Sequence, residues 1–269
     1  MAHWFVEIRG RVPRKAALVL GVIPIVLLIG LWWFITYGET VEDRAVSPQI
    51  LPSPVEVAER VPELLTQRDL ATHILASLQR VGLGYLVALA VVLPLGIMMG
   101  SFGAARATGA PATTASGYIP IATLVPLTMS WFGTGELQKV IFLAIAFSIY
   151  LLPLVVRAIE NVPDVYLRTA VTLGATRPQT VYRVLVPIAM PEIWQAMRLA
   201  FGVGWTYLVL TEVVVLTDGL GYLVAISQRR GPREHIYLVI VVITLIAWAS
   251  DLVWTTLGRL LFPYQRSQA

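Results

Sequence analysis

The sequence has no cysteine, only two lysines and three histidines, and just 13% of its 269 residues are charged. Without cysteine there can be no disulfides, zinc-thiolate sites or iron-sulfur clusters, and His3, His73 and His235 are too few and too scattered to suggest a histidine metal site. The scarcity of lysine excludes more. A phosphate-binding loop of the GxxxxGK[ST] type needs lysine between glycine and Ser or Thr, so that the ammonium reaches the phosphates and the hydroxyl holds magnesium. Lys15 follows Arg14 and Lys139 follows Gln138, so neither serves. No base, nucleophile or ligand set accompanies the acids either, so no catalytic residue, bound metal or cofactor is expected on this chain.

Apolar residues make up 57% of the chain, and the mean hydropathy is +0.74. That composition predicts an all-α membrane protein, because a lipid environment satisfies no backbone hydrogen bonds and a helix satisfies its own. The net charge of +4 is spread between apolar runs, which fits membrane orientation and not nucleic acid. Six spans are expected, over about 18–35, 77–99, 117–132, 140–156, 193–216 and 236–257. The first run is too long for a cleaved signal peptide and no A-x-A-like site follows it.

Arg9, Arg11, Arg14, Lys15, Arg106, Arg157, Arg168, Arg177, Arg183, Arg259 and Arg266 then fall on the cytoplasmic side, with both termini. Arg80 and Lys139 fall near the outer interface. Arg229, Arg230 and Arg233 fall outside against the trend. The expected organisation is a cytoplasmic segment 1–15, one transmembrane domain 16–262 and a tail 263–269, in the inner membrane of a bacterial cell.

Local signals refine this. The acidic stretch after Tyr37, with Glu39, Glu42 and Asp43, fits the outside, and Ser53 can cap a short amphipathic helix beginning at Pro54. Gly82, Gly84 and Gly96 should let other helices approach the second span. Pro120 and Pro126 should kink the third, making it either a pathway helix or a kinked packing helix. Residues 132–139 read as a tight external turn.

The loop 158–187 holds two short helices in succession. In the first, Asn161 can cap, Asp164 lies beside the positive end and Gly174 closes it; in the second, Thr176 and Gln179 have capping-box spacing and Pro187 ends it. Too short and polar to span, the segment presents Val165, Tyr166, Leu167 and Thr169 outward and suits docking into a groove on a soluble partner.

The run Arg168-Thr169-Ala170, Leu173-Gly174-Ala175 and Val186-Pro187 resembles the EAA loop of ABC importer permeases, with Arg168 where the family has glutamate and Thr169 where it has alanine. LPSPVEV (51–57), SLQRVGLGY (77–85), WFGTGELQK (131–139), LGAT (173–176) and GLGYLV (219–224) are similar, in the same order, to the nitrate/sulfonate/taurine/bicarbonate-type subfamily. The resemblance implies a type I importer permease fold with a cytoplasmic coupling helix. It implies as partners a second permease subunit, expected to be a second copy, two cytoplasmic ATP-binding subunits that carry ATP and magnesium, and an external solute-binding protein. It implies further that Asp164, Val165, Tyr166, Leu167, Arg168, Thr169, Ala170, Leu173, Gly174 and Ala175 contact the ATPase, and that a small solute, expected to be an anion such as nitrate, bicarbonate or a sulfonate, crosses by alternating access.

Within the spans, Glu212 reads either as a pathway or gate residue or as a hydrogen-bonded structural acid, and Asp251 as the second kind. Arg198 is expected to snorkel to the inner interface. Trp131 and Pro126 are the other pathway candidates. An ion-gradient-driven transporter is the alternative reading, but it predicts an inverted repeat with broken helices in both halves, which is not visible.

Overall fold

The computed structural model describes residues 12–38, 44–48, 50–215 and 217–264, and among them only helices and turns occur. In chain order the helices are α1 (Arg14–Thr36), α2 (Pro54–Glu59), α3 (Val61–Thr66), α4 (Leu70–Ser101), α5 (Gly103–Ser116), α6 (Leu124–Phe132), α7 (Glu136–Glu160), α8 (Asp164–Thr172), α9 (Arg177–Thr180), α10 (Val186–Val214), α11 (Leu220–Arg230) and α12 (Glu234–Leu261). The expected charges at Arg9, Arg11, Glu39, Glu42, Asp43 and Arg266 lie outside the described residues.

Among the described residues, five helices are long and apolar enough to cross a bilayer: α1, α4, α7, α12 and the continuous helix from Arg177 through α10. The third expected span takes a different form. It is not one span over 117–132 but two pieces, α5 and α6, separated at 117–120 and rejoined through a 3-10 turn, Ile121–Thr123. Residues 103–111, beyond the expected end of the second span at 99, belong to α5. Arg106 of α5 pairs with Glu160 at the far end of α7, whereas Thr128 of α6 accepts from Gln138 at its start, at 2.9 Å. The two pieces together thus traverse the length of α7. Pro126 falls in the first turn of α6, where a missing N–H costs nothing, so the break comes at Pro120 and not at Pro126.

The core is built on α7, whose apolar stretch is 50% buried, against 0% for α1. Phe142, Leu143, Phe147, Leu151 and Val155 are buried there against α4 and α10. Close packing of α4 on α7 depends on Gly84, Gly96 and Gly100. A Cβ on Gly84 would stand 2.7 Å from Leu143 Cβ, and one on Gly100 2.9 Å from the Val156 carbonyl. Gly82 does not share this role, because a Cβ there meets nothing within 4 Å. Gly84→Ala is therefore expected to destabilise the bundle by about 1–3 kcal/mol through forced separation. Gly82→Ala should stabilise α4 by up to about 1 kcal/mol through helix propensity. Parallel thermal melts check the pair, and equal shifts would remove the packing argument.

Other boundaries move for identifiable reasons. Residues 132–139 are not a tight turn outside the bundle, since α7 begins at Glu136, and Gln138 and Lys139 are wholly buried. Pro187 does not end a helix. A π turn over Val181–Leu185, in which the Val186 N–H donates to Val181 O, carries the chain through the proline into α10, so the fifth span begins well before residue 193. The segment after 217, expected to lie outside with Arg229 and Arg230, is itself a helix, α11, packed on α10 and α12. The Ser53 cap stands as expected: its Oγ accepts from Glu56 N at 3.2 Å while the Glu56 carboxylate accepts from Ser53 N at 2.7 Å.

Candidate functional site

Two assemblies, at opposite ends of α7, concentrate the residues singled out in the sequence. At the α7 C-terminus, α8 projects from the bundle. Val165, Val171 and Leu173 are 61%, 62% and 81% exposed, and Tyr166 and Leu167 are also exposed. Ala170 alone in this helix is buried, on the side of α8 that packs on the π turn. A nine-residue helix with so much apolar surface and one anchoring residue cannot be explained by its own subunit's core.

The ends of α8 are firmly set. Gly174 adopts φ +77, its N–H donates to Val171 O at 3.0 Å, and the Ala175 N–H donates to Ala170 O at 3.0 Å, the paired bonds of a Schellman stop. Pro163, not Asn161, holds the N-cap position; Asn161 instead donates to the Glu192 carboxylate on α10, because the α7 end and α10 meet there. Thr176 N donates to Gln179 Oε1 at 2.8 Å and starts α9. Arg168 reaches back to Asp164 at 3.7 Å, with side chains 81% and 77% exposed, a loose surface pair that leaves the guanidinium available. Asp164, Val165, Arg168, Thr169, Thr172 and Leu173 line an open groove of about 500 Å³.

At the opposite end, the buried Arg80 of α4 is the hub of an ionic network that joins the buried Glu212 to the exposed Glu136 and Asp218. Its guanidinium donates to both oxygens of Glu136 at 2.6 and 2.7 Å, to Glu212 at 2.7 Å, to Asp218 O at 2.9 Å and to the Asp218 carboxylate. The Lys139 ammonium, 0% exposed, lies 3.0 Å from Glu136 and donates to Thr217 Oγ1. Both cations are buried within the protein, because three carboxylates from α7, α10 and the following loop converge on them. Burial alone would raise the Asp218 carboxyl, but hydrogen bonds from Arg80 and Thr217 and the charges of Arg80 and Lys139 outweigh it and hold that carboxyl below the usual aspartate range.

Glu212 is wholly buried and satisfied within its own subunit. It accepts from Ser77 Oγ at 2.8 and 3.0 Å and from the Gly221 N–H in the first turn of α11 at 2.8 Å, where the helix dipole favours a carboxylate. Gly219, at φ +108, has to be glycine, since a Cβ would stand 2.3 Å from the Glu212 carboxylate. Gly219 N donates to His73 Nδ1 and Leu220 N to Ser77 Oγ, both at 2.9 Å. Three of the sequence stretches thus meet in space: Ser77 and Arg80 from one, Glu136 and Lys139 from the second, Gly219 and Gly221 from the third. Sequence reasoning placed Arg80 and Glu212 separately and missed their pairing, because 132 residues separate them.

The remaining candidates lie elsewhere. Trp131 is 62% exposed at the end of α6, and Pro126 is exposed on the same short helix. Arg198, expected to snorkel, forms a two-pronged pair with Asp251 of α12 at 2.6 and 2.7 Å, and pairing is one way a charge is accommodated within a membrane.

Residues 92–267 match the family described as the binding-protein-dependent transport system inner membrane component. The chain is 30% identical over 263 residues to the taurine transport system permease protein TauC of Escherichia coli (strain K12), covering 96% of this chain and 94% of that one. It is 25% identical over 224 residues to the putative aliphatic sulfonates transport permease protein SsuC of Bacillus subtilis (strain 168), covering 82% and 80%. Among solved structures, an inward-facing MetNI methionine ABC transporter chain superposes with a TM-score of 0.63 at 18% identity, over 71% of this chain and 94% of that chain.

Proposed function

Because the chain belongs to the family of binding-protein-dependent transport system inner membrane components, the permeases of ABC importers, we propose that it forms the membrane pathway of an importer whose ATP-binding subunits dock on α8. The observation that carries the reading is the exposed apolar surface of α8, with Val165, Val171 and Leu173 presented at a helix fixed between α7 and the π turn leading into α10. The contact set is Asp164 to Ala170 together with Leu173, Gly174 and Ala175. Pushing on α8 moves two spans at once, which is what coupling ATP-driven closure to alternating access requires.

In this reading α8 and α9 lie on the cytoplasmic side with both termini, within a permease domain of 16–262 bounded by short segments 1–15 and 263–269. The Arg80 network, α2, α3 and α11 then lie on the external side, where a solute-binding protein delivers its cargo. Glu212 serves the external gate as the anchor of the turn into α11, while Trp131 and Pro126 border the pathway on α6. A second copy of the chain completes the pathway. The solute is a small anion, and sulfonates such as taurine lead the candidates because TauC and SsuC are among the relatives.

Co-expression with candidate ATP-binding and solute-binding subunits tests the assembly. We expect the affinity-purified chain to bring down an ATP-binding subunit, and Leu167→Asp with Leu173→Asp to lose it while remaining in the membrane. A wild-type chain that recruits no ATP-binding subunit would end the importer reading.

A further inference from the structure

Hydroxyl groups on the long helices mostly bond the preceding turn: Ser148 donates to Ala144 O, Thr244 to Ile240 O, Ser250 to Ile246 O and Thr255 to Asp251 O, at 2.7 to 2.8 Å. The hydroxyl of Tyr85 donates to Met197 O at 2.9 Å. Tyr150 of α7 and Tyr207 of α10 behave otherwise. Their rings stack at 5.9 Å and 28°, and their hydroxyls bond each other at 2.8 Å. Tyr150 is 39% exposed. In such a pair one phenol donates to the other, which leaves one O–H hydrogen and several lone pairs unspent.

Tyr150 stands about 21 Å along α7 from Glu136 and about 15 Å from Glu160 at 1.5 Å per residue, so the pair sits deep in the span. An unspent hydroxyl facing lipid tails at that depth is costly, and polar groups deep in a bundle face its interior or water. Among the described residues no charged side chain hydrogen-bonds either phenol.

We propose that the Tyr150–Tyr207 hydroxyl pair lines the translocation pathway and donates hydrogen bonds to the oxyanion group of the solute in transit. The inference rests on the importer reading and adds the contact that reading lacks. Two phenols already within hydrogen-bond distance can each turn their O–H toward a sulfonate, nitrate or carboxylate oxygen. Their neutrality matters, because a transit site must hold its anion long enough to admit it and weakly enough to release it. The external arginine and lysine are committed to carboxylates and are unsuited to that task.

The cysteine-free sequence supplies a clean test. In the assembled transporter, Tyr150→Cys, Tyr207→Cys and, as a control on the surface of α1, Leu27→Cys are each treated with an anionic, water-soluble methanethiosulfonate that carries a sulfonate. Thiolates form only where water reaches them, so we expect labelling at 150 and 207, slowed by added taurine or methanesulfonate, and none at 27. Inertness at both tyrosine positions, equal to that at 27, overturns the proposal. Tyr150→Phe and Tyr207→Phe are then compared with wild type in proteoliposomes, on whichever of taurine, methanesulfonate and nitrate the wild type takes up. Uptake per ATP hydrolysed should fall about fivefold for loss of one neutral hydrogen bond, while ATP turnover persists. Unchanged uptake in both variants overturns the substrate contact. Recruitment of the ATP-binding subunit, scored in the same preparations, separates either failure from failure of the importer reading.

Discussion

Gly174→Pro is expected to reduce transport-linked ATP turnover by about a hundredfold or more while leaving the chain inserted and folded in the membrane. Gly174 stops α8 at φ +77 with its N–H bonded to Val171 O. Proline is fixed near φ −65° and has no N–H, so it fits neither requirement. The cost is at least about 3 kcal/mol, which amounts to about a hundredfold in the population of correctly directed α8. None of the long spans is touched, because a Cβ at Gly174 meets nothing within 4 Å. Gly174→Ala keeps the N–H and pays only the left-handed conformation, about 1–2 kcal/mol, so it should lose about tenfold. Arg168→Ala should leave α8 in place, since that side chain is 81% exposed and holds only its loose pair with Asp164, and should lose less than either glycine variant, through its contact with the ATP-binding subunit alone. Binding-protein-stimulated ATPase activity in proteoliposomes, normalised to inserted protein, ranks the three. Wild-type turnover in Gly174→Pro would remove α8 from the coupling path.

The C-terminal stop of α8 was legible in the sequence because its determinants are local. Gly174, the Thr176 and Gln179 pair, and Ser53 with Glu56 act over three or four residues, and each lies in the structure where its spacing puts it. The spans were legible from hydropathy for the same reason. The form of the third expected span was not, because α5 carries a mixed small-residue sequence with no long apolar run and none of its residues is buried. Nor was continuity through Pro187, since a π turn is a tertiary accommodation that no short-range rule announces. The ionic network escaped for a different reason. Arg80, Glu136 and Glu212 each carry an unremarkable local context, and only the packing of α4, α7 and α10 reveals them as partners.

That network yields the largest expected effect on stability. Arg80→Leu should lower the melting temperature of the purified chain by about 10 °C, because removing one partner leaves buried charge uncompensated, at about 3–5 kcal/mol. Glu212, 0% exposed, would retain only Ser77 and the Gly221 N–H, and Glu136 and Asp218 would be left to Lys139. Glu212→Gln should cost less. The amide oxygen still accepts from Gly221, and Arg80 keeps Glu136 and Asp218. The double variant Arg80→Leu, Glu212→Leu should recover only part of the loss, because Glu136 and Asp218 remain without their guanidinium and Gly219 and Gly221 leave no room for a branched replacement beside them. Acid should reproduce a fraction of the effect. The Asp218 carboxyl is held below its ordinary range in the folded chain. Its contribution is therefore full above the unfolded aspartate pKa, about 4, and disappears as pH falls through the lowered folded value. Melting curves of the three variants, with wild type followed from neutral pH downward, test the set. A melt for Arg80→Leu within about 2 °C of wild type would show that the network is peripheral to the fold, and the external anchoring assigned to Glu212 would go with it.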